Sequence, residues 1–317
     1  MRRIVLLGLM IVASTALVFA SGEAEMAGDE GFTPDRNVTW FVTSSPGGGS
    51  SIFTQTIVEI INDLGIVDQE IIINYRTDGG GSVGRREVSR ANTGGHTILT
   101  FNNGDLQPLV QVEGGDLDMF TPLAVMATDG QILLVPADSP IEDGQDFIDR
   151  VQAGERFIIN GSRGDDINLF NQIQDAVGGD LEYLVNDSTG DALTQILGGN
   201  ADIVIAKPAA SFELVSAGEL RPLIAATRDG FGAPFEAPTL IDLGYDISLT
   251  VYRGIVGPAD MPQAAVEFWS DVFGQVVETE RWQEGYLGQF LLTDNYLPWD
   301  EAAEYMQDFE DIYTAGN

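Results

Sequence analysis

The sequence has no cysteine, one histidine and one lysine among its 317 residues. Without cysteine there is no disulfide, no thiol nucleophile and no thiol to carry a bacterial lipid anchor. A single histidine, His96, excludes multi-histidine metal sites. It begins a strand and is read as structural, with general-base work as the other reading. Basic charge is scarce: 15 Lys and Arg stand against 49 Asp and Glu, a formal net charge of −34 at pH 7. Nucleic acid and anionic membrane are poor partners for such a chain, since binding either needs clustered cations. The acidity reads either as solubility or as adaptation to high salt, where screening shortens to about 3 Å at 1 M. Past the N-terminal segment, no apolar run is long enough to cross a bilayer.

That N-terminal segment reads as a signal peptide. Arg2 and Arg3 precede the apolar run Ile4 to Phe19, and Val18-Phe19-Ala20 is a small-residue cleavage pattern. Cleavage is expected after about Ala20, with export to the periplasm; an uncleaved anchor is the alternative. Residues 21–35 are expected to be a flexible leader. About 297 residues remain, more than one core usually serves, so two lobes are expected.

A unit then recurs: apolar strand, loop rich in Gly, Ser, Asn and Asp, then helix. Val38–Val42 leads into Ser44-Ser45-Pro46-Gly47-Gly48-Gly49-Ser50-Ser51. Phe53, Ile57, Ile60, Ile61 and Leu64 follow at helical spacing, closed by Gly65. Ile71–Tyr75 leads into Asp78-Gly79-Gly80-Gly81-Ser82, and His96–Phe101 into Asn102-Asn103-Gly104-Asp105. The second half repeats the unit at Phe157–Asn160, Tyr183–Val185 and Asp202–Ala206, the last ending at Lys207-Pro208. Alternating strand and helix predicts an α/β protein with mainly parallel sheets flanked by helices. Extended runs at Phe120–Met126, Gln131–Pro136 and Ile247–Val256 predict two crossings between the lobes. The expected partition is 36–136 plus 253–317 for the first lobe and 137–252 for the second.

A helix N-terminus leaves backbone N–H groups unpaired and carries about half a positive charge, so it attracts anions. Glycine lets the backbone approach the ligand and hydroxyls add donors. One such loop is an ordinary turn; four at the carboxyl ends of strands, two in each lobe, describe a binding cleft. None has the Lys-Ser/Thr of a P-loop or a clean dinucleotide fingerprint. The sites suit carboxylates.

Thr43-Ser44-Ser45-Pro46-Gly47-Gly48-Gly49-Ser50 resembles the first ligand loop of the substrate-binding proteins of tripartite tricarboxylate transporters, the Bug family. Asn74-Tyr75-Arg76-Thr77-Asp78-Gly79-Gly80-Gly81-Ser82-Val83-Gly84 resembles their second loop. Leu197-Gly-Gly-Asn-Ala-Asp202, Gly218-Glu-Leu-Arg-Pro-Leu223, Ala237-Pro-Thr-Leu240 and Arg253-Gly-Ile-Val-Gly-Pro258 match further along, in the family's order. The resemblance implies a two-lobed periplasmic-binding-protein fold of type II kind with two crossover strands as hinge. It also implies a small organic carboxylate held by amides of the first two loops and delivered to integral membrane subunits. No cofactor and no metal are expected, and a monomer is. Departures fall at Ser50-Ser51, at Arg163 with its neighbouring acids, and at Asn186–Gly190, so the distal end of the ligand is expected to differ from the family's usual dicarboxylates.

The candidate ligand-binding residues are Ser45, Gly47, Gly48, Gly49, Ser50, Gly80, Gly81, Ser82, Asn102, Ser162, Arg163, Asp187, Ser188, Thr189 and Lys207. Lys207 is read as a partner for a ligand carboxylate, against a surface charge paired with an acid. Arg163 is read as a ligand contact or as neutralising Asp165 and Asp166. Those two acids carry the alternative function, a carboxylate-dependent secreted hydrolase. Adjacent residues on a helix diverge by about 100°, however, and pairs of acids arise by chance in so acidic a chain. Gly115-Asp116-Leu117-Asp118 has no EF-hand pattern.

Overall fold

The computed structural model describes residues 31–315. The expected signal peptide, its cleavage point and most of the expected leader lie outside the described residues. Among the described residues eleven strands follow in chain order: β1 (Val38–Val42), β2 (Ile71–Tyr75), β3 (Thr97–Asn102), β4 (Phe120–Gly130), β5 (Ile132–Pro136), β6 (Arg156–Ser162), β7 (Asp180–Asn186), β8 (Ile203–Ala206), β9 (Leu220–Ala225), β10 (Thr250–Pro258) and β11 (Thr293–Pro298). They form two sheets, β11-β4-β10-β3-β1-β2 and β7-β6-β8-β5-β9.

Each sheet holds a parallel triplet in the same order, β2-β1-β3 and β7-β6-β8. The other strands run antiparallel to their neighbours. The sheets are therefore mixed, where the alternation of elements predicts mainly parallel ones. The cause is the double crossing: β4 leaves the first lobe, β10 returns to it, and two strands side by side with opposite travel pair antiparallel. The changeover lies at Gln131, one residue after β4. Ile132–Pro136, expected in the first lobe, pairs with β8 and β9 in the second sheet. Thr250–Tyr252, expected in the second, pairs with Gly130, Asp129 and Thr128 in the first.

Successive side chains of a strand face opposite ways, so each sheet buries both faces. Trp40 joins Phe53, Ile57, Trp269 and Phe273 on one side of the first sheet, and Phe41 joins Leu99, Phe101, Tyr252 and Met306 on the other. In β5, Leu133 and Val135 face one core of the second lobe and Ile132 and Leu134 the other. Helix Gly49–Leu64 buries Phe53, Ile57, Ile60 and Ile61 and ends on Gly65, whose φ of 64° lets its N–H reach back to Ile61 and Asn62. Leu64, expected on the same face, is exposed. Helices Gln263–Val277 and Trp299–Ala315 complete the first lobe.

Phe32 and Asp35 lie within the stretch expected as a flexible leader, yet they pack on this lobe. Phe32 meets His96 and Phe268 edge to face. The Asp35 amide donates to His96 Nε2 at 3.2 Å, and His96 Nδ1 lies 2.9 Å from Thr93 O. Both ring nitrogens are thus occupied in fixing the chain, a structural role.

Candidate functional site

Each parallel strand hands over to a helix at one end of its sheet. Three such turns per lobe face one another: helices starting at Gly49, Ser82 and Asn103, and at Asp165, Thr189 and Pro208. The amides of Gly49 and Ser50 donate to no protein acceptor among the described residues. Gly79, Gly80 and Gly81 follow one another at φ of 62°, 66° and 84°, a left-handed run that only glycine adopts freely. A Cβ on Gly81 would stand 2.6 Å from Thr43 Cβ, so the first two loops nest against each other. Asn102 caps the third helix by accepting from Gly104 N at 2.7 Å, and its Nδ2 donates to Ser50 Oγ at 3.0 Å. Ser188 caps helix Thr189–Leu197 by accepting from Asp191 N.

The two lobes touch. A Cβ on Gly164 would lie 2.6 Å from Gly104 Cα, and one on Gly190 would lie 3.2 Å from the Gly47 carbonyl carbon. Between these contacts remains a cavity of about 60 Å³. From the first lobe Gly48, Gly49, Ser50, Gly80 and Asn102 line it; from the second, Ser162, Arg163, Asp187, Ser188, Thr189 and Lys207. Ser45, Gly47, Gly81 and Ser82 do not line it; Gly47 instead meets Gly190 across the lobes. Thr43, Ser44, Arg85, Gly104, Asp105, Asp165, Val251 and Arg253 also line the cavity and were not among the expected residues. Ser44 Oγ is buried with no partner among the described residues.

Buried ion pairs surround the cavity. Arg85 reaches Asp105 at 2.9 Å, the Gly80 carbonyl at 3.1 Å, and Glu113. Arg253 is held by Asp129, one of the last residues of β4. Lys207 Nζ lies 2.5 Å from Asp165 Oδ2 and also bonds Asp166 Oδ1. Gln131, at the crossing, donates to both aspartates, and Ser162 donates to Asp166 through N (2.7 Å) and Oγ (2.6 Å). Lys207 is thus on the cavity wall but already neutralised, which its isolation in the sequence did not reveal. Arg163 pairs with Asp187 at 3.6 Å, half-exposed, not with Asp165 and Asp166.

Burial raises the Asp165 carboxyl above its ordinary value; Lys207 opposes the rise and Asp166 adds to it. For Lys207, burial alone would lower the ammonium, but the two carboxylates outweigh it and the group stays charged. Asp105 is raised by burial against the pull of Arg85. No three His, Asp or Glu side chains converge as metal ligands among the described residues.

Residues 55–304 match the sequence profile described as "Tripartite tricarboxylate transporter family receptor". The chain belongs to this receptor family. It is 24% identical over 269 residues to the UPF0065 protein of the tcbD-tcbE intergenic region of a Pseudomonas species, covering 81% of this chain and 78% of that one. Among solved structures, MatC from Rhodopseudomonas palustris with bound malate superposes at a TM-score of 0.78 with 18% identity, over 89% of this chain and 99% of that one. Rpa4515 of the same organism, with adipate, gives 0.79 and 18% over 89% and 95%. At such identity the solved structures establish the fold: two mixed α/β lobes of the periplasmic-binding-protein kind.

For this receptor, two of the missed residues had a signal in the sequence. Arg253 interrupts the apolar strand Val251–Val256, and a lone charge there is buried only if paired. Arg85 sits three residues after Ser82 in a short polar helix and looks like a surface residue; nothing local marks its burial.

Proposed function

We propose that this chain is an extracytoplasmic solute-binding protein that captures a small carboxylate between its lobes and delivers it to the membrane subunits of a tripartite tricarboxylate-type transporter. The carrying observation is the small cavity onto which free amides at Gly49 and Ser50, the unpartnered Ser44 Oγ and left-handed Gly80 open from one lobe. Such donors hold an anion without needing a surplus cation. The two solved relatives hold malate and adipate, both small carboxylates, which supports the reading.

The protein acts by binding alone, in the periplasm and as a monomer. Both carboxylates that a hydrolase would need, Asp165 and Asp166, are engaged with Lys207 and Gln131, which favours a wall over a pair of catalytic acids. Lobe closure is the signal to the transporter: donors come from both sides, so a ligand gains its full set of contacts only when the lobes meet, and it shifts closure by its differential affinity. A thermal-shift screen of organic acids, amino acids, sugars and peptides tests the reading. Saturation at about 100 times the dissociation constant adds about 2.7 kcal/mol of stability. Hits confined to sugars or peptides, or turnover of a bound acid by pure protein, would overturn it.

A further inference from the structure

Counted together with the partners just behind them, the cations of the cavity wall are outnumbered by carboxylates. Four cations line the cavity: Arg85, Arg163, Lys207 and Arg253. Six carboxylates answer them: Asp105 and Glu113 on Arg85, Asp187 on Arg163, Asp165 and Asp166 on Lys207, and Asp129 on Arg253. Arg85, Lys207 and Arg253 are buried in these pairs, while Arg163 meets Asp187 only at the half-exposed rim, 3.6 Å apart.

Asp165 is the member of the Lys207 cluster that reaches the cavity. It is 7% accessible and lines the cavity. Lys207 and Gln131 both bind its Oδ2, while Oδ1 receives no hydrogen bond among the described residues. That oxygen points toward Gly104 of the opposite lobe, where a Cβ would come within 2.7 Å of it. On the cavity side this oxygen is open to a donor from a ligand. A ligand carboxylate would bring a further acceptor and a further negative charge. An ammonium brings three donors and the missing positive charge.

We propose that the ligand carries an ammonium group at the end facing Asp165, so that this receptor takes a compact amino carboxylate in preference to a dicarboxylate. The inference rests on the carboxylate reading above, which places the ligand's carboxylate at the first-lobe amides. The cavity agrees in size. About 60 Å³ corresponds to the space of a handful of waters at roughly 10–15 Å³ each, suited to a short chain between the two charged ends.

The test is calorimetric titration of the full mature protein with matched trios that differ only at the far end. These are β-alanine, malonate and propionate; γ-aminobutyrate, succinate and butyrate; and δ-aminovalerate, glutarate and valerate. In the best-fitting trio the amino acid is expected to bind at least about tenfold tighter than the diacid, a difference of about 1.4 kcal/mol. Asp165→Asn is expected to reduce that ratio below about threefold, with Asp165→Ser used if the Asn variant does not fold. A diacid that binds as tightly as its amino partner overturns the proposal, and the wild-type ratio decides this whatever the variants do. A preference that survives loss of the Asp165 carboxylate overturns the assignment to that residue. Binding by none of the compounds fails the carboxylate reading itself, a different result from a diacid preference.

Discussion

Gly190→Ala separates closure from folding. Gly190 lies in the first turn of helix Thr189–Leu197 and has no positive φ, so alanine fits its backbone. The nearest atoms to an added Cβ all belong to the opposite lobe: Gly47 C at 3.2 Å, Pro46 O at 3.3 Å and Gly47 O at 3.4 Å. Within its own lobe the change removes glycine's backbone freedom and adds helix propensity, together worth up to about 1 kcal/mol. That gain is the same whether the lobes are open or closed. In the closed form the methyl presses on first-lobe backbone, which has to give by a few tenths of an ångström. Overpacking of this kind costs about 1–3 kcal/mol, and the mildness of the contact argues for the lower end. About 1 kcal/mol is roughly a fivefold rise in Kd. The apo melting temperature should therefore hold or rise while affinity for the best carboxylate from the screen falls. Thermal unfolding of the apo protein and calorimetric titration read the two effects separately. An unchanged Kd would mean that the Gly47–Gly190 contact is not part of the bound state. A lowered melting temperature with unchanged m-value would mean that the substitution harms folding, and the reasoning fails.

Three further outcomes follow from the charges. Lys207→Met leaves Asp165 and Asp166 adjacent, buried and uncompensated; breaking such a pair typically costs about 3–5 kcal/mol, so urea denaturation should show a large loss, and one below about 1 kcal/mol would refute the triad. The Asp165 carboxyl is raised above 3.8, chiefly by burial, so the folded chain holds that proton more tightly than the unfolded chain. Stability relative to Asp165→Asn should accordingly fall as pH rises above 3.8, and a difference that is flat or grows with pH would contradict it. The net charge of −34 repels itself, and salt screens that repulsion while sparing buried pairs. Melting temperature should climb from low to molar NaCl; a flat curve would leave the acidity as a solubility feature.

What the sequence determined by itself is local. Strand-to-helix turns at Gly48, Gly81, Asn102, Gly164, Ser188 and Lys207 were legible because each rests on a pattern within a dozen residues: an apolar run, a break in small residues, a periodic face. Gly65 as a helix stop and the recurrence of the unit in both halves were legible for the same reason. From these came the fold class, the cleft and most of its lining. The sheet to which Ile132–Pro136 belongs was not legible, because an apolar run pairs equally well on either side of a hinge and only the long-range register with β8 and β9 decides. Nor could the sequence tell which cations are free. With 49 acids available, partner choice is a matter of distance in space: Asp166 meets Lys207 across 41 residues and Asp129 meets Arg253 across 124. The lone lysine marked the wall of the cleft, but tertiary structure set its charge. Coulomb attraction and desolvation act through space, and no spacing along the chain encodes them.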